Sequence, residues 1–287
     1  MYVVTGSTGQ VGGAVVRALR AAGKEVRALF RDASKSGAMD ALGAEPFPAS
    51  VEDASRLEIG FERAEGVFIM TPPLYKSPDP RTEHALALAA IKHALQASHV
   101  PKVVFLSSIG AQQPEGTGAI LKSYDMEQEL FALSMDFISI RAAFFMENFL
   151  PLLPHVKESG KLPVTIEPVN RPIPMIATED IGTIAARLLT EPWSGKRTIE
   201  LEGPRQYSMS DVAAILSRQL GRTVEAELVP REGRQAMYES FGFTPGSSAD
   251  MTEMADGWNS GLVAFAGGAG VEHMRGNTTP EEVFRDK

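Results

Sequence analysis

The chain has 287 residues, a formal net charge of −8 and 44% hydrophobic residues, a composition that supports a large buried core. The acidic balance argues against direct nucleic-acid binding, because neutralising a phosphate backbone requires clustered Lys and Arg. The lack of cysteine excludes disulfides and thiol chemistry, and no apolar run approaches the roughly 18 residues that a membrane span requires. With no secretory leader at its start, the sequence predicts a cytoplasmic protein without membrane contact.

Three glycines at three-residue spacing, Gly6, Gly9 and Gly12, follow an apolar strand at residues 2–4 and open a helix. The helix has one apolar face, formed by Val11, Ala14, Val15, Ala18, Leu19 and Ala22. This context predicts a dinucleotide-phosphate cradle: Gly6 allows the tight turn, Gly9 lets the backbone approach a pyrophosphate, and Gly12 lets the helix pack on the strand. The predicted phosphate contacts also include Thr8, Gln10 and Val11.

The second predicted strand, residues 25–30, ends at Arg31, and Lys35 follows one turn later. In such folds an acidic residue at this position binds the ribose 2′-hydroxyl of NAD, whereas an Arg accommodates the 2′-phosphate of NADP. The sequence therefore predicts NADP(H) in preference to NAD(H).

Further strands are predicted at residues 44–49, 66–70, 102–108 and 136–141. Helices are predicted to begin at residue 52 and to cover residues 81–98 and 120–133. This alternation predicts a Rossmann-type doubly wound parallel sheet, whose ligands bind at the carboxyl ends of the strands. We therefore expect Thr71, Pro72, Pro73 and Ser107 to border the nicotinamide. The spacing of His84, His93 and His99 offers no metal site, and we interpret them as packing or surface residues.

Two prolines, Pro151 and Pro154, mark the predicted end of the nucleotide-binding domain, residues 1–149. Residues 150–287 are predicted to form a smaller α+β domain for a substrate or partner, with a helix at 178–192 that packs back onto the first domain. The remaining predicted elements are strands at 197–201 and 223–229, a helix at 212–220, partly helical structure at 231–254, a glycine-rich loop at 257–270, and a capped helix from 279.

Several segments together resemble the NmrA-like family of atypical short-chain dehydrogenase/reductases. They are residues 5–12, 71–73 and 107–108, Arg141 followed by residues 145–148, and residues 180–182. The resemblance implies a Rossmann domain with a smaller domain closing over a cleft. It also implies either NAD(P)H-dependent reduction of quinone, azo or triarylmethane acceptors, or a non-catalytic NADP(H) sensor that acts through protein partners.

The chain departs from this family at three positions. Ser50 stands where similar proteins often have an Asp that contacts adenine, so only a neutral hydroxyl is available there. Ser123 stands where a Lys or His often lies four residues before Glu127, and Lys122 is displaced by about 100° around the helix. Ala142 replaces a Pro that commonly follows the Arg.

A Tyr acid with a Lys four residues later, the pair of typical short-chain dehydrogenases, is absent: no Tyr of the sequence has that Lys. An unactivated carbonyl, which needs a positioned acid, is therefore a poor substrate. The predicted substrate is a small, already electrophilic aromatic molecule, reduced with NADP(H) and without flavin or metal. Phe145, Glu147 and Asn148 are predicted to wall the nicotinamide and Tyr75 and Phe144 to contact the acceptor, while Lys122 or Tyr124 is a candidate proton source.

Overall fold

The structure is a computed structural model that describes residues 1–285 and 287. Its strands are β1 (Tyr2–Val4), β2 (Val26–Phe30), β3 (Glu45–Pro48), β4 (Gly66–Met70), β5 (Lys102–Ser108), β6 (Asp136–Ala142), β7 (Phe144–Phe145), β8 (Lys161–Val164), β9 (Ile173–Ile176), β10 (Lys196–Glu202), β11 (Gln206–Tyr207), β12 (Glu225–Leu228) and β13 (Val271–Arg275). Its α-helices are α1 (Gln10–Ala21), α2 (Ser36–Ala41), α3 (Ala54–Phe61), α4 (Pro80–Ala97), α5 (Leu121–Phe131), α6 (Leu153–Ser159), α7 (Thr178–Thr190), α8 (Met209–Leu220), α9 (Arg231–Ser240), α10 (Pro245–Ser260) and α11 (Pro280–Val283).

The central sheet has eight strands in the order β13-β10-β6-β5-β4-β1-β2-β3, and all of its neighbouring strands are parallel. Alternate residues of its strands point to opposite faces, so Val3 belongs to one buried cluster and Val4 to another. The strand order reverses between β1 and β4, which places a ligand crevice at the carboxyl ends of these two strands. The predicted Rossmann-type fold is confirmed.

Helix α7 packs directly against α1. The sequence predicted a helix at residues 178–192, two residues longer than α7. The two backbones approach so closely that a Cβ on Gly182 would lie 2.3 Å from Ala14 Cβ and 2.8 Å from the backbone nitrogen of Val15. Only glycine permits this distance, because a methyl group would separate the helices. The start of α7 is thereby held beside the start of α1.

The sheet takes two of its strands from the last third of the chain. The strand predicted at 197–201 is β10, and it pairs with β6 in parallel register, with Glu200 opposite Arg141. Its other edge pairs with β13, a strand that the sequence did not predict. The division between residues 149 and 150 stays a prediction.

A further buried cluster lies outside the sheet and combines α6, α8, β8, β9 and the end of α10. We call it the second buried cluster, and we count the cores on the two faces of the sheet together as the first. Two small sheets, β11-β9-β7 and β12-β8, belong to this part of the molecule. Within residues 1–285 and 287, none of the helices combines the length and the hydropathy needed to cross a lipid bilayer.

The predicted loop at 257–270 is wrong for its first four residues, which form the last turn of α10. This helix has a glycine at position 257 because a Cβ there would come 2.9 Å from the carbonyl oxygen of Gly116 and 3.0 Å from Val263. The glycine therefore serves close packing between α10 and the β5–α5 loop. Composition alone suggested a loop because a packing glycine and a loop glycine look the same in sequence.

Candidate functional site

The glycine turn after β1 has the geometry that its spacing predicts. Gly6 has a φ of +61°, in the left-handed region that favours glycine, and its carbonyl oxygen accepts a 2.9 Å hydrogen bond from the Gly9 N–H. A Cβ on Gly12 would lie 2.3 Å from that same oxygen, so the turn requires glycine there as well. Helix α1 begins after Gly9 without a side-chain cap, which leaves an exposed helix N-terminus suited to a phosphate.

The end of β2 presents two basic side chains. Arg31 and Lys35 are both exposed, and within the described part of the chain neither forms an ion pair. Asp32, between them, caps a short 3₁₀ helix by accepting hydrogen bonds from the backbone N–H and the hydroxyl of Ser34 at 3.0 and 2.7 Å. These hydrogen bonds lower the pKa of Asp32. The Asp32 carboxylate is thus engaged by hydrogen bonds within the loop, whereas the Arg31 and Lys35 side chains remain available to a ligand.

Ser50 lies just beyond β3, where the sequence predicted a contact with adenine. It is half-buried, and its hydroxyl donates a hydrogen bond to the carboxylate of Glu52, two residues later. The hydroxyl is therefore engaged locally, and its contact with a cofactor stays a prediction.

The loop after β4 contains an unsatisfied polar group. The Thr71 hydroxyl oxygen is buried and has no hydrogen-bond partner among the described residues. Pro72 is half-buried, whereas Pro73 and Tyr75 are exposed. A buried hydroxyl without a partner costs about 1–3 kcal/mol, which a hydrogen-bonding ligand would offset.

At the ends of β5 and β6 a buried carboxylate collects four hydrogen bonds. Glu127 Oε1 accepts from the hydroxyls of Ser107 and Ser139, both at 2.5 Å, and from Arg141 Nε at 3.0 Å. Its Oε2 accepts a second bond from the Arg141 guanidinium at 2.6 Å. The Ser107 hydroxyl, predicted beside the nicotinamide, is thus directed at Glu127. This network ties α5 to the carboxyl ends of two neighbouring strands.

The segment after β6 contributes some side chains to hydrophobic packing and others to polar contacts. Phe144 packs against Phe149 and Trp258 at ring-centroid distances of 5.5 and 6.1 Å, within the second buried cluster. Phe145 packs instead against the core of the sheet, and Asn148 is exposed.

Glu147 connects this segment to the start of α7. Its Oε1 accepts hydrogen bonds from the backbone N–H and the hydroxyl of Thr178 at 2.9 and 2.8 Å. Its Oε2 is buried and has no hydrogen-bond partner among the described residues. Burial raises the pKa of Glu147, although the bonds from Thr178 act in the opposite direction. A ligand hydroxyl could satisfy this second oxygen.

A cavity of about 560 Å³ joins the glycine turn to the start of α7. Thr8, Gly9 and Gln10 line one side of it, and Glu147 and Thr178 line another. A dinucleotide would use the turn, where Gly9 leaves room for a backbone-bound phosphate, and the unsatisfied oxygens of Thr71 and Glu147. The residues present therefore fit a nicotinamide cofactor.

The two candidate proton sources lie on α5. Lys122 Nζ is 3.2 Å from the Asp250 carboxylate of α10, and both side chains are largely buried. Tyr124 is half-buried. The lysine therefore joins α5 to α10 in this structure, and its role as a proton donor stays a prediction.

Of the three histidines, His84 is buried with its Nε2 3.4 Å from Asp125. His93 is exposed. Neither placement conflicts with the prediction that these residues serve packing or the surface.

The sequence did not identify two polar residues that form hydrogen bonds in this region, Ser139 and Asp250. Ser139 could have been found, because a Ser and an Arg two residues apart share one face of an otherwise apolar strand, β6, beside Ser107 of β5. Asp250 carries no such signal, since it lies 128 residues from Lys122 and meets it only through the packing of α10.

Several known proteins are similar to this chain in sequence and in fold. The model of the NmrA-like family matches residues 2–260. The chain is 29% identical over 240 residues to the NAD(P)H azoreductase of Xenophilus azovorans, a match that covers 83% of this chain and 80% of that protein. It is 23% identical over 259 residues to quinone oxidoreductase 2 of Escherichia coli (strain K12), covering 89% of this chain and 87% of that protein.

Among solved structures, the triphenylmethane reductase of Citrobacter sp. complexed with NADP(H) is similar, with a TM-score of 0.78 at 19% identity. The match covers 99% of this chain and 98% of that chain. It shows a common fold.

Proposed function

Because the chain belongs to the NmrA-like family, we propose that it transfers a hydride from NADPH to an electrophilic aromatic acceptor of the quinone, azo or triarylmethane type. At the coarser level the protein is an NAD(P)H-dependent oxidoreductase, like its azoreductase and quinone oxidoreductase relatives. The observation that carries the proposal is the glycine turn beside the unsatisfied oxygens of Thr71 and Glu147.

The turn and the start of α1 would bind the pyrophosphate through backbone N–H groups, because Gly9 leaves no side chain in the way and Gly12 lets α1 pack closely against the Gly6 carbonyl. The Thr71 hydroxyl and Glu147 Oε2 would bind polar groups of the nicotinamide half, since each is buried with an open hydrogen-bonding position. When bound, NADPH supplies the hydride. The residues of the chain then hold donor and acceptor in contact and exclude water.

The preference for NADP(H) over NAD(H) is supported by Arg31 and Lys35, which are exposed at the end of β2 while Asp32 is engaged by Ser34. A charge-assisted bond to the 2′-phosphate contributes about 1.5–3 kcal/mol, so Arg31→Asp should lower the NADPH-to-NADH affinity ratio about ten- to a hundredfold. Titration of intrinsic fluorescence with each cofactor measures this ratio. An unchanged ratio would contradict the preference.

An electrophilic acceptor is supported by the lack of a Tyr acid paired with a Lys four residues later and by the ion pair that engages Lys122. A quinone accepts the hydride at a carbonyl oxygen or ring carbon without prior protonation. The resulting anion then takes one proton from water, so NADPH, quinone and one proton give NADP⁺ and hydroquinone. Such a reaction can proceed by proximity alone.

The test is the loss of NADPH absorbance with a panel of quinones, azo dyes and triarylmethane dyes. Gly12→Val is the matched negative control, because its side chain would collide with the Gly6 carbonyl and close the cradle. Consumption by the wild type alone supports the proposal. No consumption with any acceptor would contradict it and favour a sensor that binds NADP(H) without turnover.

Variants of α5 test the source of the proton. If Lys122 or Tyr124 donates it, Lys122→Ala or Tyr124→Phe lowers turnover, because a positioned acid contributes about 10²–10⁴-fold. Full turnover in both variants would leave water as the proton source. The pH dependence of turnover also distinguishes a side-chain proton donor from water.

A further inference from the structure

Three aromatic rings meet where the loop after β4 touches the turn between α9 and α10. The Phe243 ring centroid lies 4.5 Å from that of Tyr75 and 5.6 Å from that of Tyr238. We refer to Tyr75, Tyr238 and Phe243 as the aromatic cluster. It joins the nucleotide-binding part of the sheet to the C-terminal helices.

Local sequence determines where Phe243 lies. Helix α9 ends in a Schellman motif: Gly242 has a φ of +85°, its N–H donates to the Glu239 carbonyl at 2.9 Å, and the Phe243 N–H donates to the Tyr238 carbonyl at 3.2 Å. This motif usually brings the residue after the glycine against the third residue from the helix end, and here it brings Phe243 against Tyr238. The position of the Phe243 ring thus follows from the glycine.

Hydrogen bonds then fix this turn against the loop after β4. The Thr244 N–H donates to the Tyr75 carbonyl at 2.9 Å, and the Thr244 hydroxyl donates to the Ser77 carbonyl at 2.8 Å. The Ser247 hydroxyl donates to the Leu74 carbonyl at 2.9 Å in a buried position. Tyr75 and Phe243 are therefore held by backbone contacts on both sides and do not depend on each other for their positions.

Part of this aromatic surface is open to solvent. Tyr75 is 44% exposed and Phe243 is half-buried, whereas Tyr238 is buried. Burial nevertheless raises the pKa of Tyr75, with a further contribution from Tyr238. An exposed aromatic surface beside a predicted cleft is typical of a binding site.

We propose that Tyr75 and Phe243 form a stacking surface for the flat aromatic acceptor and select acceptors by the size of their ring system. Tyr75 lies four residues after Thr71, in the loop that begins at the carboxyl end of β4, and the proposal rests on the proposed function for the nicotinamide at that strand end. Phe144, the other predicted acceptor contact, packs within the second buried cluster. In this proposal Phe243 replaces Phe144 as the second aromatic contact of the acceptor.

Binding of 2-methyl-1,4-naphthoquinone, measured by calorimetry with full-length protein with and without NADP⁺, tests the stacking surface. Phe243→Leu and Tyr75→Leu keep apolar volume but remove the ring, and each should weaken binding about two- to tenfold. Tyr75→Phe keeps the ring and should bind like the wild type. 1,4-Benzoquinone, with one ring, should show a smaller change in each variant.

The matched control is Phe131→Leu, which removes a ring that is 42% exposed at the end of α5, away from the carboxyl ends of the strands. It should leave quinone binding unchanged. Equal naphthoquinone affinity in the wild type, Phe243→Leu and Tyr75→Leu would overturn the proposal, as would no binding by the wild type. Thermal unfolding and NADPH affinity of each variant exclude a general loss of structure.

The two proposals fail in different ways. If naphthoquinone binds through Phe243 and Tyr75 but NADPH is not consumed, the stacking surface stands and the proposed reaction is wrong. If the wild type consumes NADPH but both Leu variants keep the wild-type KM for naphthoquinone, the reaction stands and the stacking surface is wrong.

Discussion

Glu127 is the residue whose replacement should be most costly. It is 3% exposed and accepts both hydrogen bonds of the Arg141 guanidinium, so Glu127→Gln leaves a nearly buried cation with only a neutral partner. Breaking such a pair costs about 3–5 kcal/mol, and we expect a loss of this size in the free energy of unfolding measured by urea denaturation.

The same helix offers a matched control for this variant. Glu129 carries the same charge and pairs with Lys92 at 2.6 Å, but both side chains are more than a third exposed. Solvent screens such pairs, so Glu129→Gln should change stability by no more than about 1 kcal/mol. Equal effects of the two substitutions would show that the Glu127 network does not stabilise the fold.

His84 makes the stability depend on pH. Burial lowers its pKa, Asp125 partly raises it, and Lys122 lowers it further. Because the folded protein favours the neutral imidazole, His84 contributes stability above its unfolded pKa of about 6.5 and loses it as pH falls through the lowered folded pKa.

Between about pH 7 and pH 5 the wild type should therefore lose more unfolding free energy than His84→Gln. His93→Gln, which removes an exposed histidine of the same helix, should follow the wild type. Urea denaturation at each pH measures the three slopes. Parallel slopes for the wild type and His84→Gln would contradict the assignment.

At the scale of elements, short sequence patterns predicted those turns and helix starts that depend only on neighbouring residues. The glycine turn into α1 and the capped start of the helix at residue 279 occur as expected, because each depends on residues within one turn. Gly257 and the pairing of β13 were missed because each depends on tertiary contacts that no short window contains.

The contact between α1 and α7 gives a prediction at this scale. A methyl group on Gly182 would collide with Ala14, so Gly182→Ala must separate the two helices and should destabilise the protein by about 1–3 kcal/mol. Gly37→Ala in α2, where a Cβ would meet nothing within 4 Å, should be neutral or slightly stabilising through helix propensity. Urea denaturation compares the two, and equal stabilities would contradict the close approach.

For the whole molecule, the sequence predicted the glycine turn after β1 but not the contacts that bring C-terminal residues beside the candidate site. The cradle depends on consecutive residues at the end of β1, whereas Thr178 reaches Glu147 and Asp250 reaches Lys122 only through packing between distant helices. The turn that contains Phe243 is fixed by local residues, but its contact with Tyr75 also depends on the packing of distant segments.

The sheet and the α1–α7 contact predict that the chain unfolds as one cooperative unit. Strands β10 and β13 complete a sheet begun by β1, so neither part of the chain keeps its full core alone. Two tryptophans report on different regions: Trp193 lies 4.9 Å from the Lys102 ammonium of β5, and Trp258 is buried among the C-terminal helices. In Trp193→Phe and in Trp258→Phe, fluorescence of the remaining tryptophan and far-ultraviolet circular dichroism should show one common urea midpoint. Separate midpoints in either variant would instead show that the central sheet and the C-terminal helices unfold independently, because Trp193 reports on the sheet and Trp258 on the second buried cluster.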